Sequence, residues 1–373
     1  MAGERRPAIL MTADTVGGVW TYAAELSRAL TARGLDVHLA TMGGPVQPHQ
    51  REALAGCDGV TLHEGHFALE WMPDPWRDVD EAGAWLLALE KKLQPALVHL
   101  NQFAFGALPF RAPRLVVGHS CVLSWWLAVQ GGDAPPSWDT YRQRVTAGLR
   151  GADRVAAPTA AMLHSLGEHY GLQGGVVLPN GRDPTLFRPA AVKHPFIFAA
   201  GRFWDEAKNL AALQAAAPGL PWPVRVAGAL AAPDGRHLEP GAVQALGELP
   251  AAEVAREMGD AALYALPARY EPFGLSILEA ALAGCALVLG DLPSLRETWG
   301  SAAAYVPPDD AAALHDALQR LIACPDERSR LAAAARRRAL QFSPANMAEA
   351  WLDACAPLAP ALARHRKEEA QCA

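Results

Sequence analysis

Two carboxylates eight residues apart, Glu271 and Glu279, bracket a turn in the segment PARYEPFGLSILEAALAG, residues 267–284. Glu271 follows an apolar run of strand length, and Glu279 falls about a turn and a half into the helix expected next. Pro272 fixes the backbone direction, and Gly274 lets the main chain approach a ligand with no side chain between. The amides of Gly274 to Ser276 would then open a helix, where free N–H donors and the dipole favour phosphate or hydroxyl groups. A lone pair of glutamates would read as one solvated carboxylate and one on a helix surface; the whole segment favours function. Arg202 and Lys208, six residues apart in GRFWDEAKN (201–209), could clamp a diphosphate and neutralise charge growing on a leaving group. Alone, they would read as surface charges. Gly17-Gly18 at a strand–helix turn permits close approach of phosphate or sugar, and the pattern is not the G-x-G-x-x-G of dinucleotide enzymes. His119 ends the strand PRLVVG; on the residues alone it is either a ligand contact or a partly buried structural histidine. His99, in LVHLN, reads as support or as lining of an acceptor side.

Strands alternating with amphipathic helices must position these residues. Strands are expected at 7–12, 35–41, 59–63, 96–100, 113–118, 153–157 and 174–179, with helices at 18–33, 77–93, 138–150 and 159–170. In the first helix Ala23, Leu26 and Leu30 recur at helical spacing, and Gly34 stands where a C-cap belongs. The pattern restarts with strands at 195–200, 223–228, 261–266, 286–290 and 302–306. Helices alternate with them at 207–217, 251–258, 274–284, 292–299 and 309–323, and two more follow at 326–341 and 345–363. Such alternation implies an α/β fold of parallel sheets covered by helices on both faces, with ligands beyond the carboxyl ends of the strands. The connector Pro179–Pro184 divides the chain into domains 1–180 and 181–344. Two such sheets facing each other would make a deep cleft.

The segment EPFGLSILEA resembles the Glu-x7-Glu motif of glycosyltransferase family 4, retaining enzymes of the GT-B fold, and GCALVLGDLPSLRE is similar to that family's next strand and loop. The resemblance implies two Rossmann-like domains, an acceptor side in 1–180 and a donor side in 181–344, with the last helices (about 345–365) packing back on the first domain. It gives Glu271 the donor sugar, Glu279 the nucleotide ribose, and the main chain of Phe273, Gly274, Leu275 and Ser276 the sugar hydroxyls and phosphate. Arg202 and Lys208 match the family's Gly-Arg…Lys-Asn pyrophosphate segment. Gly17 and Gly18 match its glycine loop facing the diphosphate. His119 matches a histidine that contacts the donor sugar, and Gly247-Glu248-Leu249 lies where the base is lined, so Leu249 is a donor-side candidate. The expected catalytic set is Glu271, His119, Arg202 and Lys208. Two departures stand out: Ser120 replaces the acid that often follows the histidine, and Pro267-Ala268 stands where the family often has Pro-Ser. Trp125 and Trp126 read equally as core and as acceptor lining.

The expected reaction moves a sugar from a nucleoside-diphosphate sugar to a hydroxyl acceptor with retention. The sugar nucleotide is a co-substrate, and no cofactor or metal is expected, because cations and amides stabilise the leaving group. No D-x-D pair stands in a metal-binding setting; Asp309-Asp310 reads as a helix start. A nucleotide-sugar 2-epimerase and a catalytically silent sugar-nucleotide binder share the architecture and are the rival readings. Composition excludes other classes. A net charge of −6 with no long basic block disfavours nucleic acid. Apolar residues at 51% and charged residues at 19% exclude a disordered chain. Six scattered cysteines, without C-x-x-C or zinc spacing, suit free thiols in a reducing cytoplasm. The N-terminus lacks a signal peptide's apolar region, and no stretch is long enough to span a bilayer, so membrane contact would be peripheral. Donor base, sugar, acceptor, linkage position and oligomeric state stay open.

Overall fold

The computed structural model describes residues 6–232 and 235–362. Cys372 and the last residue of the helix expected at 345–363 lie outside them. The chain forms two compact units. The first holds 1–124, 133–181 and 344–373, and the second holds 125–132 and 182–343. Segment 125–132, which the sequence reading leaves in the first domain, groups with the second unit.

In the first unit seven strands form one parallel sheet: β1 (Ala8–Asp14), β2 (Asp36–Met42), β3 (Val60–Glu64), β4 (Leu97–Leu100), β5 (Arg114–Val117), β6 (Arg154–Ala157) and β7 (Val176–Val177). Their order is β3-β2-β1-β4-β5-β6-β7. β1 and β4 are buried almost throughout, as strands covered on both faces must be, and they read as mostly apolar runs broken by Thr12, Asp14 and His99. Helices α1 (Gly18–Thr31), α2 (Pro48–Glu52), α3 (Trp76–Leu93), α4 (Val122–Gln130), α5 (Asp139–Gly151) and α6 (Ala160–Tyr170) join the strands; the second half of α4 belongs to the second unit. α6 shows why the boundaries fall where they do. The Thr159 side chain accepts the Met162 N–H at its start, and Gly171 takes a left-handed conformation at its end.

The second unit carries a six-stranded parallel sheet, β8 (His194–Ala200), β9 (Val224–Ala227), β10 (Gln244–Gly247), β11 (Ala261–Leu266), β12 (Ala286–Gly290) and β13 (Ala303–Val306), in the order β10-β9-β8-β11-β12-β13. Its helices are α7 (Leu210–Ala216), α8 (Ala251–Asp260), α9 (Leu275–Leu282), α10 (Pro293–Trp299), α11 (Ala311–Ala323) and α12 (Pro325–Ala339). Two apolar layers cover each sheet, one on either face. The last helix, α13 (Pro344–Cys355), returns to the first unit, where it packs on α1 and adds Met347, Trp351, Leu352 and Cys355 to the core.

Each sheet has a point where its strand order reverses, between β1 and β4 in the first and between β8 and β11 in the second. In doubly wound sheets the crevice outside the strand ends at that point is where ligands bind. Among the described residues no helix is long and apolar enough to cross a membrane.

Candidate active site

In the second unit the two loops at the reversal point hold the expected donor residues. After β8 the chain runs through Arg202, whose guanidinium carbon lies 5.4 Å from the centre of the Trp204 ring. It then makes the single turn Glu206–Lys208. Asp205 caps that turn by accepting the Ala207 N–H at 3.0 Å, and it also accepts the Trp125 Nε1–H at 2.9 Å. Asn209 ends the turn in a left-handed conformation (φ 56°), and its amide donates to the carbonyls of Pro267 and Pro308 at 2.9 and 2.7 Å. The Arg269 N–H donates to the Ala207 carbonyl at 2.9 Å. The loop after β11 is thereby fastened to the loop after β8.

That fastening sets Lys208 Nζ 2.6 Å from Glu271 Oε2, with side chains only 19% and 11% exposed. Ser294 Oγ donates to the Glu271 carbonyl at 2.6 Å, which fixes the backbone beneath the carboxylate. Gly274 then turns with φ 88°, a conformation that costs other residues strain, and opens α9. Leu275 and Ser276 are the first residues of that helix, so their amides are among its unsatisfied donors. The Ser276 hydroxyl is itself engaged, accepting from the Tyr264 hydroxyl at 2.8 Å. Phe273 is buried against Phe342, ring centres 5.6 Å apart, so only its main chain is open to a ligand role.

Glu279 does not join the Lys208–Glu271 pair. It lies one helical stretch on, paired with Arg182 at 2.8 Å, and Arg182 also stacks over Phe187. Leu249 is half-buried against the apolar layer on the α9 side of the sheet.

The first unit's candidates gather at its own reversal point. Gly17, with φ 76°, caps α1 directly after β1, and Gly18 is the first helical residue. His119 follows β5. Its Nε2–H donates to Asn101 Oδ1 at 2.8 Å, and the Tyr22 ring meets it edge-on with centres 4.4 Å apart. Burial, with His99 nearby, lowers the His119 pKa to about 3, so the ring is neutral at physiological pH. His99, fully buried, is lowered to about 4 by the same cause.

Sequence reasoning missed Asn101, Arg182 and Tyr264 as partners of site residues, because such pairing depends on tertiary contact. It left Trp125 open. The indole hydrogen bond to Asp205 makes Trp125 a support of the Lys208 turn, with Trp126 against it at 5.8 Å.

The family model described as Glycosyltransferase Family 4 matches residues 16–186, and that for Glycosyl transferases group 1 matches residues 188–338. The chain belongs to the family 4 glycosyltransferases. The fold of this glycosyltransferase is the GT-B fold of its structural neighbours. It is similar to sucrose-phosphate synthase from Thermosynechococcus elongatus, at 21% identity and a TM-score of 0.76 over 92% of this chain and 97% of that one. It is also similar to Anabaena Alr3699/HepE in complex with UDP-glucose, at 17% identity and a TM-score of 0.74 over 95% and 100%. A glycosyltransferase from Rickettsia africae ESF-5 is 17% identical with a TM-score of 0.71 over 95% and 99%. No curated protein sequence matches the chain significantly.

Proposed function

We propose that this glycosyltransferase moves a sugar from a nucleoside-diphosphate sugar to a hydroxyl acceptor with retention of anomeric configuration and without a divalent metal. The observation that carries the reading is the Lys208–Glu271 pair, set at the reversal point of the second sheet beside the amides that open α9. Arg202 and Lys208 would hold the diphosphate, and with the Gly17-Gly18 and α9 amides they would stabilise its charge as the bond to the sugar breaks. Glu271 would face the oxocarbenium-like sugar, and Glu279 the ribose. His119 keeps the contact with the donor sugar that the family resemblance gives it. The acceptor hydroxyl would attack from the face the phosphate leaves and pass its proton to that phosphate. That route retains configuration without the double displacement of two carboxylates.

A neighbour's complex with UDP-glucose makes UDP-glucose the first donor to try. Purified protein is incubated with UDP-, GDP- and ADP-sugars and a panel of hydroxyl acceptors, and the product is read by NMR for its anomeric configuration. An α-linked product from an α-linked donor supports the proposal; an inverted product refutes it, and a C2-inverted nucleotide sugar would identify an epimerase. A cytoplasmic location, with any membrane contact peripheral, belongs to the same proposal.

A further inference from the structure

Four side chains of the first unit form one hydrogen-bonded line, and each proton in it can be placed. An indole nitrogen only donates, so the Trp351 Nε1–H points at His99 Nδ1, 2.8 Å away, and that nitrogen carries the lone pair. The two rings lie within 12° of parallel, which is compatible with an in-plane N–H···N bond. His99, being neutral, must then carry its proton on Nε2, which donates to Asn101 Oδ1 at 3.0 Å. The other end of the line gives the same answer independently. The Asn101 amide nitrogen donates to the Thr12 carbonyl, and the Asn101 backbone N–H donates to Thr12 Oγ1 at 2.9 Å. This orientation leaves Oδ1, which can only accept, facing both histidines. His119 therefore donates from Nε2, and its Nδ1 bears the lone pair, with no donor to it among the described residues. His119 is half-buried rather than sealed in the core, which leaves room for a ligand to reach that lone pair.

We propose that Asn101 is a positioning residue that locks His119 in its Nε2–H tautomer, so that Nδ1 meets the substrate as a bare acceptor and recognises a hydroxyl group of the transferred sugar. The substrate half of this inference rests on the His119 contact proposed above; the tautomer half does not. An acceptor at this place selects a sugar that offers O–H and disfavours one that offers only an ether or carbonyl oxygen there. Among the described residues the titratable groups found against His119 are Tyr22 of α1 and His99 of β4, and neither is negatively charged near neutral pH.

The direct test is nitrogen NMR of the full chain labelled at its histidine rings, with His119 and His99 assigned by single substitution. Both are expected as Nε2–H tautomers that do not titrate between pH 5 and 8. A His119 proton on Nδ1, or titration of His119 near pH 6.5, would overturn the proposal. Trp351→Phe is expected to shift the His99 Nδ1 resonance toward that of an unbonded nitrogen while the His119 tautomer stays. Asn101→Asp keeps both acceptor contacts, gives up the donation to the Thr12 carbonyl, and adds a negative charge, which raises a neighbouring histidine's pKa by about 1–3 units. Donor turnover of that variant is expected to fall as pH drops through about 4–6 and to recover above that range, whereas wild type stays level. A loss of turnover equal at every pH would mean that Asn101 is merely structural. If the NMR result holds and no donor sugar is turned over, the tautomer assignment stands and the transferase reading fails.

Discussion

Removing Lys208 separates what it does for the fold from what it does for the reaction. At 2.6 Å and an effective dielectric of about 20, the Lys208–Glu271 attraction is about 6 kcal/mol, most of it offset by the cost of drawing both charges out of water. Taking away one partner of a buried pair costs about 3–5 kcal/mol, because the other charge stays behind uncompensated. The residual exposure of 19% and 11% lets water screen the orphan and brings the expected loss to about 2–3 kcal/mol. For a unit of about 170 residues, at roughly 2–4 °C per kcal/mol, Lys208→Met should lower its melting temperature by roughly 5–10 °C. Turnover should fall further, by about 30- to 1000-fold, the loss of one donor to a leaving group's charge. In the double variant Lys208→Met with Glu271→Gln the orphan charge is gone, so the melting temperature should return most of the way while turnover stays low. Calorimetry and donor-turnover assays on the single and double variants beside wild type decide it. A single variant within 1 °C and twofold of wild type, or a double variant that regains turnover, would refute the reasoning.

Glu271→Gln should leave nucleoside-diphosphate affinity near wild type and lower kcat strongly, whereas Glu279→Gln should weaken that affinity; calorimetric titration beside steady-state kinetics shows whether the two roles are reversed. Turnover should survive EDTA, and full loss restored by magnesium or manganese would end the metal-free mechanism. Glu70 is buried and accepts the N–H groups of Phe103 and Ala104 at 3.0 and 2.9 Å, yet burial raises its pKa to about 7. The folded state therefore holds its proton more tightly than the unfolded one between about pH 4.5 and 7, and this contribution to stability is lost as pH rises through 7. Glu70→Gln should accordingly gain on wild type between pH 5 and pH 8 in denaturant titrations, and a gap that does not widen with pH would count against the shift.

The central strands of both sheets were legible because each is buried on two faces and reads as a short, mostly apolar block. β11, at Ala261–Leu266, coincides with its expected run, and β12 with its own. α4 was not legible: Val122–Gln130 is apolar around its circumference, with two adjacent tryptophans, and offers no polar face to mark the period. β10 was missed for the opposite reason, since QALG is a short, exposed edge strand with no apolar block. The stretch expected as one helix at 207–217 is broken at Asn209, whose left-handed conformation ends the Lys208 turn before α7 begins. Of the candidate site, the Glu271–Ser276 turn could be read locally, because Pro272 and Gly274 announce it. That Lys208 sits on Glu271, or Asn101 on His119, could not. Those residues are 63 and 18 positions apart, and the chain crossings that join them are set by the strand order.

The first unit is assembled from segments that precede and follow the second in the chain, and this matters while the protein is being made. Some 160 residues of the second unit must leave the ribosome before α13 follows. At about 5–20 residues per second that is a wait of roughly 10–30 s. Through it the nascent first sheet lacks Trp351, Leu352 and Met347, and so keeps an apolar face uncovered beside α1. Such a face is a site for chaperones or for self-association. Shortening the chain just before Pro344 should therefore harm yield far more than its size suggests, even though it removes none of the donor-side residues.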